Sequence, residues 1–218
     1  MDKTEVARRP IKARSTRWAS RVAAWLGQAG VRPNTISIAS VFFAAGAGFC
    51  LTLTDAVGSG WRGLLFLSAG VLIQIRLLCN LFDGMVAVEG GHKTKSGEIY
   101  NELPDRVADV FILVGAGYAW VRVEWGPLLG WLCAVLALLT AYVRALGAAA
   151  GASQHFCGPM AKQQRMALMT FACIASAVLS WSDLPWSLVA ATLALISAGS
   201  AITVLRRFLR IVRELEQK

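Results

Sequence analysis

Acidic and amide side chains crowd one stretch of this chain, Cys79 to Asp109, where two long apolar runs meet. With helical residues about 100° apart, Arg76, Asn80, Asp83, Gly84 and Ala87 fall within an arc of roughly 100°. Glu98, Asn101, Glu102, Asp105 and Asp109 do the same on the run that follows. A carboxylate near a bilayer core costs several kcal/mol, so acids persist there mostly where they line a cavity or bind something. Hard divalent cations such as Mg2+, Mn2+ or Ca2+ take such oxygen ligands. Asn101/Asp105 and Asp105/Asp109, at i and i+4, present oxygens one turn apart, and a facing helix carrying Asp83 would complete a cage. Gly84 and Ala87 remove side-chain bulk where a ligand's phosphates would approach the backbone. Ions held there would neutralise a pyrophosphate and stabilise charge developing at phosphorus. A spare carboxylate could deprotonate an attacking hydroxyl.

The elements that must position these residues are membrane helices. The chain has 218 residues, 56% of them hydrophobic and only 16% charged, with a mean hydropathy of +0.54. A soluble domain of this length is rarely so apolar, so the expected class is all-α and polytopic. The net charge of +9 does not imply nucleic acid, because the basic residues flank apolar runs and do not interleave with aromatics. The cysteines (Cys50, Cys79, Cys133, Cys157, Cys173) form no CxxC, so buried thiols are expected, with neither disulfides nor zinc. No cleavable signal peptide is evident, since the first apolar run begins about 35 residues in and further runs follow.

Residues 1–34 form a basic arm (Lys3, Arg8, Arg9, Lys12, Arg14, Arg17, Arg21) with an apolar face of Trp18, Val22, Trp25 and Leu26. That pattern predicts an amphipathic helix lying in the membrane interface. Residues 35–205 read as six spans, near 35–54, 61–88, 98–121, 127–148, 161–180 and 184–205, the first opened by Pro33-Asn34-Thr35. Each has the ~20 residues that cross the hydrocarbon core. Residues 206–218 form a basic tail. Lysine and arginine in the arm, the tail and the loops at 89–97 and 149–165 place both termini in the cytoplasm, and Trp61, Trp125, Trp181 and Trp186 mark the outer boundary. Both polar stripes then lie near the cytoplasmic face, open to cytosolic solutes and reachable from lipid. That placement points to chemistry joining a water-soluble reactant with a lipid.

The stretch resembles the CDP-alcohol phosphotransferases, whose motif reads D-x2-D-G-x2-A-R, about eight residues, then G-x3-D-x3-D. Here it reads Asn80-x2-Asp83-Gly84-x2-Ala87-Val88, then Gly97-x3-Asn101-x3-Asp105, with Asp109 one turn on. The Pro33-Asn34-Thr35 entry and the Gly158-Pro159-x-Ala161-Lys162 segment fit the resemblance too. It implies an enzyme of the bacterial inner membrane that moves a substituted phosphate from a CDP-alcohol such as CDP-diacylglycerol to a hydroxyl acceptor and releases CMP. It also implies one or two Mg2+ or Mn2+ ions on Asn80, Asp83, Asn101, Asp105 and Asp109. Asn80, Asp83, Gly84, Ala87 and Gly97 would meet the CDP, with Asp105 or Asp109 as the base. Arg144, Lys162 and Arg165 would form a pocket for an acceptor's phosphate. Asn80 and Asn101 stand where the family has aspartate and Val88 where it has arginine, which removes two negative charges from a site meant for divalent ions. Glu102 and Asp109 could restore charge, and Arg76 could replace the arginine or neutralise Asp83.

Positive-inside anchoring is the plainer account of Arg144, Lys162 and Arg165. His92 and His155 read as solvated loop residues, and Arg106 as an ion partner of the acids beside it. The Gly126/Gly130 and Gly147/Gly151 spacings allow close helix packing or a homodimer. Two rivals remain: a homologue that binds CDP-lipid or nucleotide without turnover, motivated by Asn80 and Asn101, and a cation or proton transporter. The acids cluster at one face and do not mark a path across, which weighs against transport.

Overall fold

A computed structural model of the chain describes residues 16–89, 96–120, 124–180 and 187–218. The arm before residue 16, the 90–95 stretch with His92, Lys93 and Lys95, and Trp181 and Trp186 lie outside the described residues. Among those described, all regular structure is helical: α1 (Arg17–Gln28), α2 (Pro33–Leu53), α3 (Ser59–Glu89), α4 (Gly97–Tyr118), α5 (Trp125–Ala149), α6 (Lys162–Leu179) and α7 (Ser187–Glu216). The boundaries follow local chemistry. Gly30 takes φ +73° after α1, where a left-handed residue closes a helix end at low cost. Pro33 then occupies the first turn of α2, where its missing N–H loses nothing.

Four helical stretches are long and apolar enough to cross a membrane: Pro33–Leu53, Ser59–Val88, Trp125–Ala149 and Leu188–Glu216. The other two expected spans, α4 and α6, are helical but more polar. Glu98, Glu102, Asp105, Arg106 and Asp109 crowd the first half of α4, and Lys162 and Arg165 open α6. The residues expected to form a tail continue α7 unbroken to Glu216.

Helix α2 is the hub. It packs along both α3 and α4, while α3 also packs on α6, α4 on α5, and α5 on α7. Glycine makes this possible. A Cβ on Gly48 of α2 would run into the Phe111 carbonyl of α4, and one on Gly115 would run into the Gly48 backbone. Gly117 of α4 meets Gly126 and Gly130 of α5 in the same manner, and Gly147 is filled against by Ile211. Gly151 adopts φ +92° beyond the end of α5. Gly126 and Gly130 are therefore used within the chain, where backbones approach too closely to admit side chains, whereas Gly147 packs against the Ile211 side chain and a Cβ on Gly151 would meet nothing within 4 Å.

The main core, including Leu51, Phe66, Ile73, Ile112, Met166, Met169, Leu193 and Ile196, fills the space between α2 and α7. Phe42, Phe49, Leu128, Phe171 and Val178 point outward and are exposed. A second cluster seats α1 against α2 and α3 through Ala19, Ala23, Ile36, Leu81 and Phe82, with Trp18 edge-on to Phe82 at 5.9 Å between ring centroids. Cys133 and Cys173 are buried free thiols, and the other cysteines are free and partly buried.

Gly115→Ala is expected to lower the thermal stability of the purified protein in detergent, since overpacking costs about 1–3 kcal/mol. Gly27→Ala, whose new methyl meets nothing within 4 Å, should leave the melting temperature unchanged or raise it slightly.

Candidate functional site

The two polar stripes face each other. Helices α3 and α4 make few close approaches to one another, and polar side chains bridge the gap between them. Arg76 of α3 donates to Asp109 Oδ1 at 2.9 Å and to the Asp105 carbonyl at 3.1 Å, and lies 3.3 Å from Asp105 Oδ1. One turn on, Asn80 donates to Asp105 Oδ1 at 3.0 Å and reaches Asn101 Oδ1 at 3.5 Å. The spacing explains the ladder: Arg76/Asn80 and Asp105/Asp109 are each i, i+4 pairs, so one turn of α3 serves one turn of α4.

Helix α6 closes the third side. It starts at Lys162, after Ala161 in extended backbone, and its first turn presents Lys162 and Arg165 to the acids of α4. Lys162 Nζ donates to Asn80 Oδ1 at 2.5 Å and pairs with Asp105 Oδ2. Arg165 donates to Asp109 Oδ2 at 2.8 Å, to the Met160 carbonyl at 3.1 Å and to Thr140 Oγ1 at 3.4 Å. Arg76, Arg165 and Asp109 are all essentially excluded from solvent. Removing water from three charges is costly, and the arrangement holds because both Asp109 oxygens meet a guanidinium at bonding distance.

Beside this triad lies a cavity of about 430 Å³, lined by residues of α3, α4, α5, α6 and α7. Its wall carries five cations (Arg106, Arg144, Lys162, Arg165, Arg207) against two acids, Glu102 and Asp105. Arg144 donates to Glu102 at 2.6 Å and to Gln154 at 3.1 Å, and its guanidinium sits 5.3 Å from the Phe156 ring centroid. Arg106 also pairs with Glu102, at 3.1 Å. Arg207 is buried, with its guanidinium on the Thr140 carbonyl at 2.5 Å and the Cys157 carbonyl at 3.0 Å. A wall with this balance of charge receives anions.

Two expectations need correcting. Arg76 does not neutralise Asp83; its partners are Asp105 and Asp109. Asp83 is held by Ser37 of α2, whose hydroxyl donates to Oδ2 at 2.7 Å, while Oδ1 is buried with no hydrogen-bond partner. His155 is not merely solvated: Nε2 lies 2.7 Å from Glu214 Oε2, and Ser153 donates to the same carboxylate through N at 2.8 Å and Oγ at 2.6 Å. This latch ties the loop after α5 to the end of α7.

The expected metal ligands are not gathered into a cage. Asp109 is turned inward between two arginines, Asn101 is exposed, and Asn80 and Asp105 are bonded to Lys162. Among the described residues no three Asp, Glu, His or Cys side chains converge as a metal site, and one free oxygen on Asp83 does not make one. The stripe oxygens that face one another here, on Asn80, Asn101 and Asp105, are hard donors of the kind a divalent ion takes, with Lys162 bonded to two of the three residues. Of the residues expected to meet CDP, Asn80 lines the cavity, while Asp83, Gly84, Ala87 and Gly97 lie outside its wall; Arg144, Lys162 and Arg165 all line it. Sequence reasoning missed Ser37, Thr140, Phe156 and Arg207. Arg207 had a legible signal only as one of four arginines in a basic run.

Asp109→Asn is expected to destabilise the fold by about 3–5 kcal/mol, because it leaves two buried guanidinium groups short of charge. Glu102→Gln, at a half-exposed pair, should change stability by less than about 1 kcal/mol. Thermal unfolding followed by size-exclusion chromatography in detergent compares the two.

No protein-family model matches the chain. Phosphatidylinositol phosphate synthase of Mycobacterium tuberculosis with CDP-DAG bound superposes with a TM-score of 0.73 at 20% identity, covering 90% of this chain and 94% of that one. The same protein in complex with manganese and citrate gives 0.73 at 18% identity, covering 88% of each chain. Its apo form gives 0.68 at 20% identity over 88% of this chain and 94% of that one. The inner membrane protein YnbA of Escherichia coli (strain K12) is 26% identical over 168 residues, which is 75% of this chain and 79% of that protein. The stripes of α3 and α4, closed by the first turn of α6, thus lie within a fold that this chain shares with phosphatidylinositol phosphate synthase.

Proposed function

We propose that the chain is an integral membrane phosphotransferase of phospholipid biosynthesis. It moves a substituted phosphate, in the first instance phosphatidyl, from a CDP-alcohol such as CDP-diacylglycerol to a hydroxyl acceptor and releases CMP. The observation that carries this reading is the cationic cavity beside Asn80 and Asp105, at the ends of two stripes whose spacing matches the CDP-alcohol motif. The shared fold supports it, since the neighbour was solved with CDP-DAG bound.

In this reading Lys162, Arg144 and Arg106 offset the charge of the diphosphate, and the wall past Arg207 receives the acceptor. The acceptor hydroxyl attacks the phosphorus that carries the alcohol. A P–O bond forms there, the P–O bond to CMP breaks with its electron pair leaving on CMP, and the hydroxyl proton passes to a carboxylate. Asp105 lines the cavity and is assigned that role; Asp109, with both oxygens held by arginines, is a positioning residue.

Six helices, α2 to α7, would cross the bilayer of a bacterial inner membrane, with α1 in the interface and both termini and the cavity cytoplasmic. The exposed Trp18 and Trp25 of α1 and the inner-membrane relative support this placement. A binding-only protein is the second reading, favoured by amides at positions 80 and 101.

The test incubates purified protein with labelled CDP-diacylglycerol and a mixed pool of hydroxyl acceptors, then identifies the lipid formed by mass spectrometry. Asp105→Asn is expected to reduce transfer by about 100-fold or more while expression is retained. Unchanged turnover in that variant defeats the assignment, and CDP binding without CMP release selects the second reading.

A further inference from the structure

The side chains around the Asn80–Asp105 bond carry their own cation. Lys162 Nζ sits between Asn80 Oδ1 and Asp105 Oδ2, the two oxygens that an ion bridging α3 and α4 would need first. Arg76 lies 3.3 Å from the other oxygen of Asp105. The four stripe positions 80, 83, 101 and 105 hold two carboxylates and two amides, a formal charge of −2. Lys162 and Arg76 already balance that charge. Two divalent ions added to this set would leave four uncompensated positive charges within one small, partly dry volume, where Coulomb repulsion is only weakly screened. A single divalent ion would have to displace the ammonium from both oxygens and then sit beside it.

We propose that Lys162 is the resident cation of this site: its ammonium, clamped between Asn80 and Asp105, takes the place of a divalent ion and meets the phosphates of a nucleoside diphosphate directly. This rests on the transferase reading for the identity of the ligand, but not for the exclusion of the ion. Three features make the arrangement coherent. Lys162 opens α6 after extended Ala161, so its position is set by the helix start and not by a long mobile stem alone. An ammonium has three N–H groups, and two of them go to Asn80 and Asp105, which leaves a third for a ligand in the cavity that Lys162 lines. The amide at position 80 suits an ammonium clamp: Oδ1 accepts from Lys162 while Nδ2 donates to Asp105. An aspartate there could not make that second bond in its ionised form, so Asn80 is matched to Lys162 as a pair.

The full-length protein in nanodiscs tests this in two arms. In the first, Mn2+ is titrated and followed by electron paramagnetic resonance, with and without CDP. In the second, binding of CDP is measured by calorimetry in excess EDTA and in millimolar Mn2+. Wild type is expected to show no specific Mn2+ binding in the micromolar range, and an affinity for CDP that EDTA changes by less than about twofold. Lys162→Met should weaken CDP binding in EDTA by about tenfold or more. The triple change Asn80→Asp, Asn101→Asp, Lys162→Met should gain micromolar Mn2+ binding, a result that mere misfolding cannot produce. Specific Mn2+ binding by wild type, or CDP binding that is lost in EDTA and restored by Mn2+, overturns the proposal. If CDP binds under neither condition, the transferase reading falls, and the Mn2+ arm still decides whether Lys162 excludes the ion.

Discussion

Three charges removed from water hold this structure together. Asp109 of α4 lies between Arg76 of α3 and Arg165 of α6, each guanidinium within 2.9 Å of one carboxylate oxygen. Helices α3 and α4 make few close approaches to each other directly; α2 packs along both, and the triad ties their polar stripes together across the remaining gap. In a bilayer the hydrophobic effect does not press helices together, and buried ionic and hydrogen bonds with close backbone contacts must do it. The triad serves at the middle of α4 and the glycine crossings toward its C-terminal end, where Gly48 and Gly115 bring the α2 and α4 backbones into contact.

That division gives α4 two halves with different tasks. Its second half is a packing surface of Ala108, Ile112, Leu113 and Ala116 in the main core. Its first half is a polar face with Glu102 and Asp105 on the cavity and Asp109 behind them. The anchoring triad thus stands one turn from the cavity-lining Asp105. The acid that shapes the site and the acid that faces a ligand are i, i+4 neighbours, and their cations, Lys162 and Arg165, are i, i+3 neighbours on α6.

The charge balance separates this chain from the expectation raised by its motif. A pair of helices with four aspartates would be a strongly anionic surface in need of divalent ions. With amides at 80 and 101, and with Lys162 and Arg76 at hand, the surface is neutral, and the cavity beside it is cationic. The fold shared with phosphatidylinositol phosphate synthase is compatible with either balance, because the backbone places the stripe positions whatever side chains they carry.

Local pattern was enough to determine the helical class, the boundaries of the helices to within a few residues save the end of α7, which runs on to Glu216, and the angular position of each stripe residue. Those properties depend on a period of 3.6 residues and on Pro, Gly and apolar runs, all of which are local. The choice of Arg144, Lys162 and Arg165 as a pocket for an acceptor's phosphate came from the resemblance, since local pattern alone reads them as positive-inside anchors. Tertiary structure alone decided the pairing. Asp109 and Asp105 are both one-turn neighbours on one face, and no spacing rule says which is sealed between arginines and which is left at the cavity. That depends on where α3 and α6 lie around α4, which is set by the packing of α2 on α3 and α4 and of α6 on α3. The partner of Asp83 on α2, and the burial of Arg207 out of a run of arginines, were hidden for the same reason: they come from helices far apart in the chain, and sequence periodicity carries no information about which helix lies beside which.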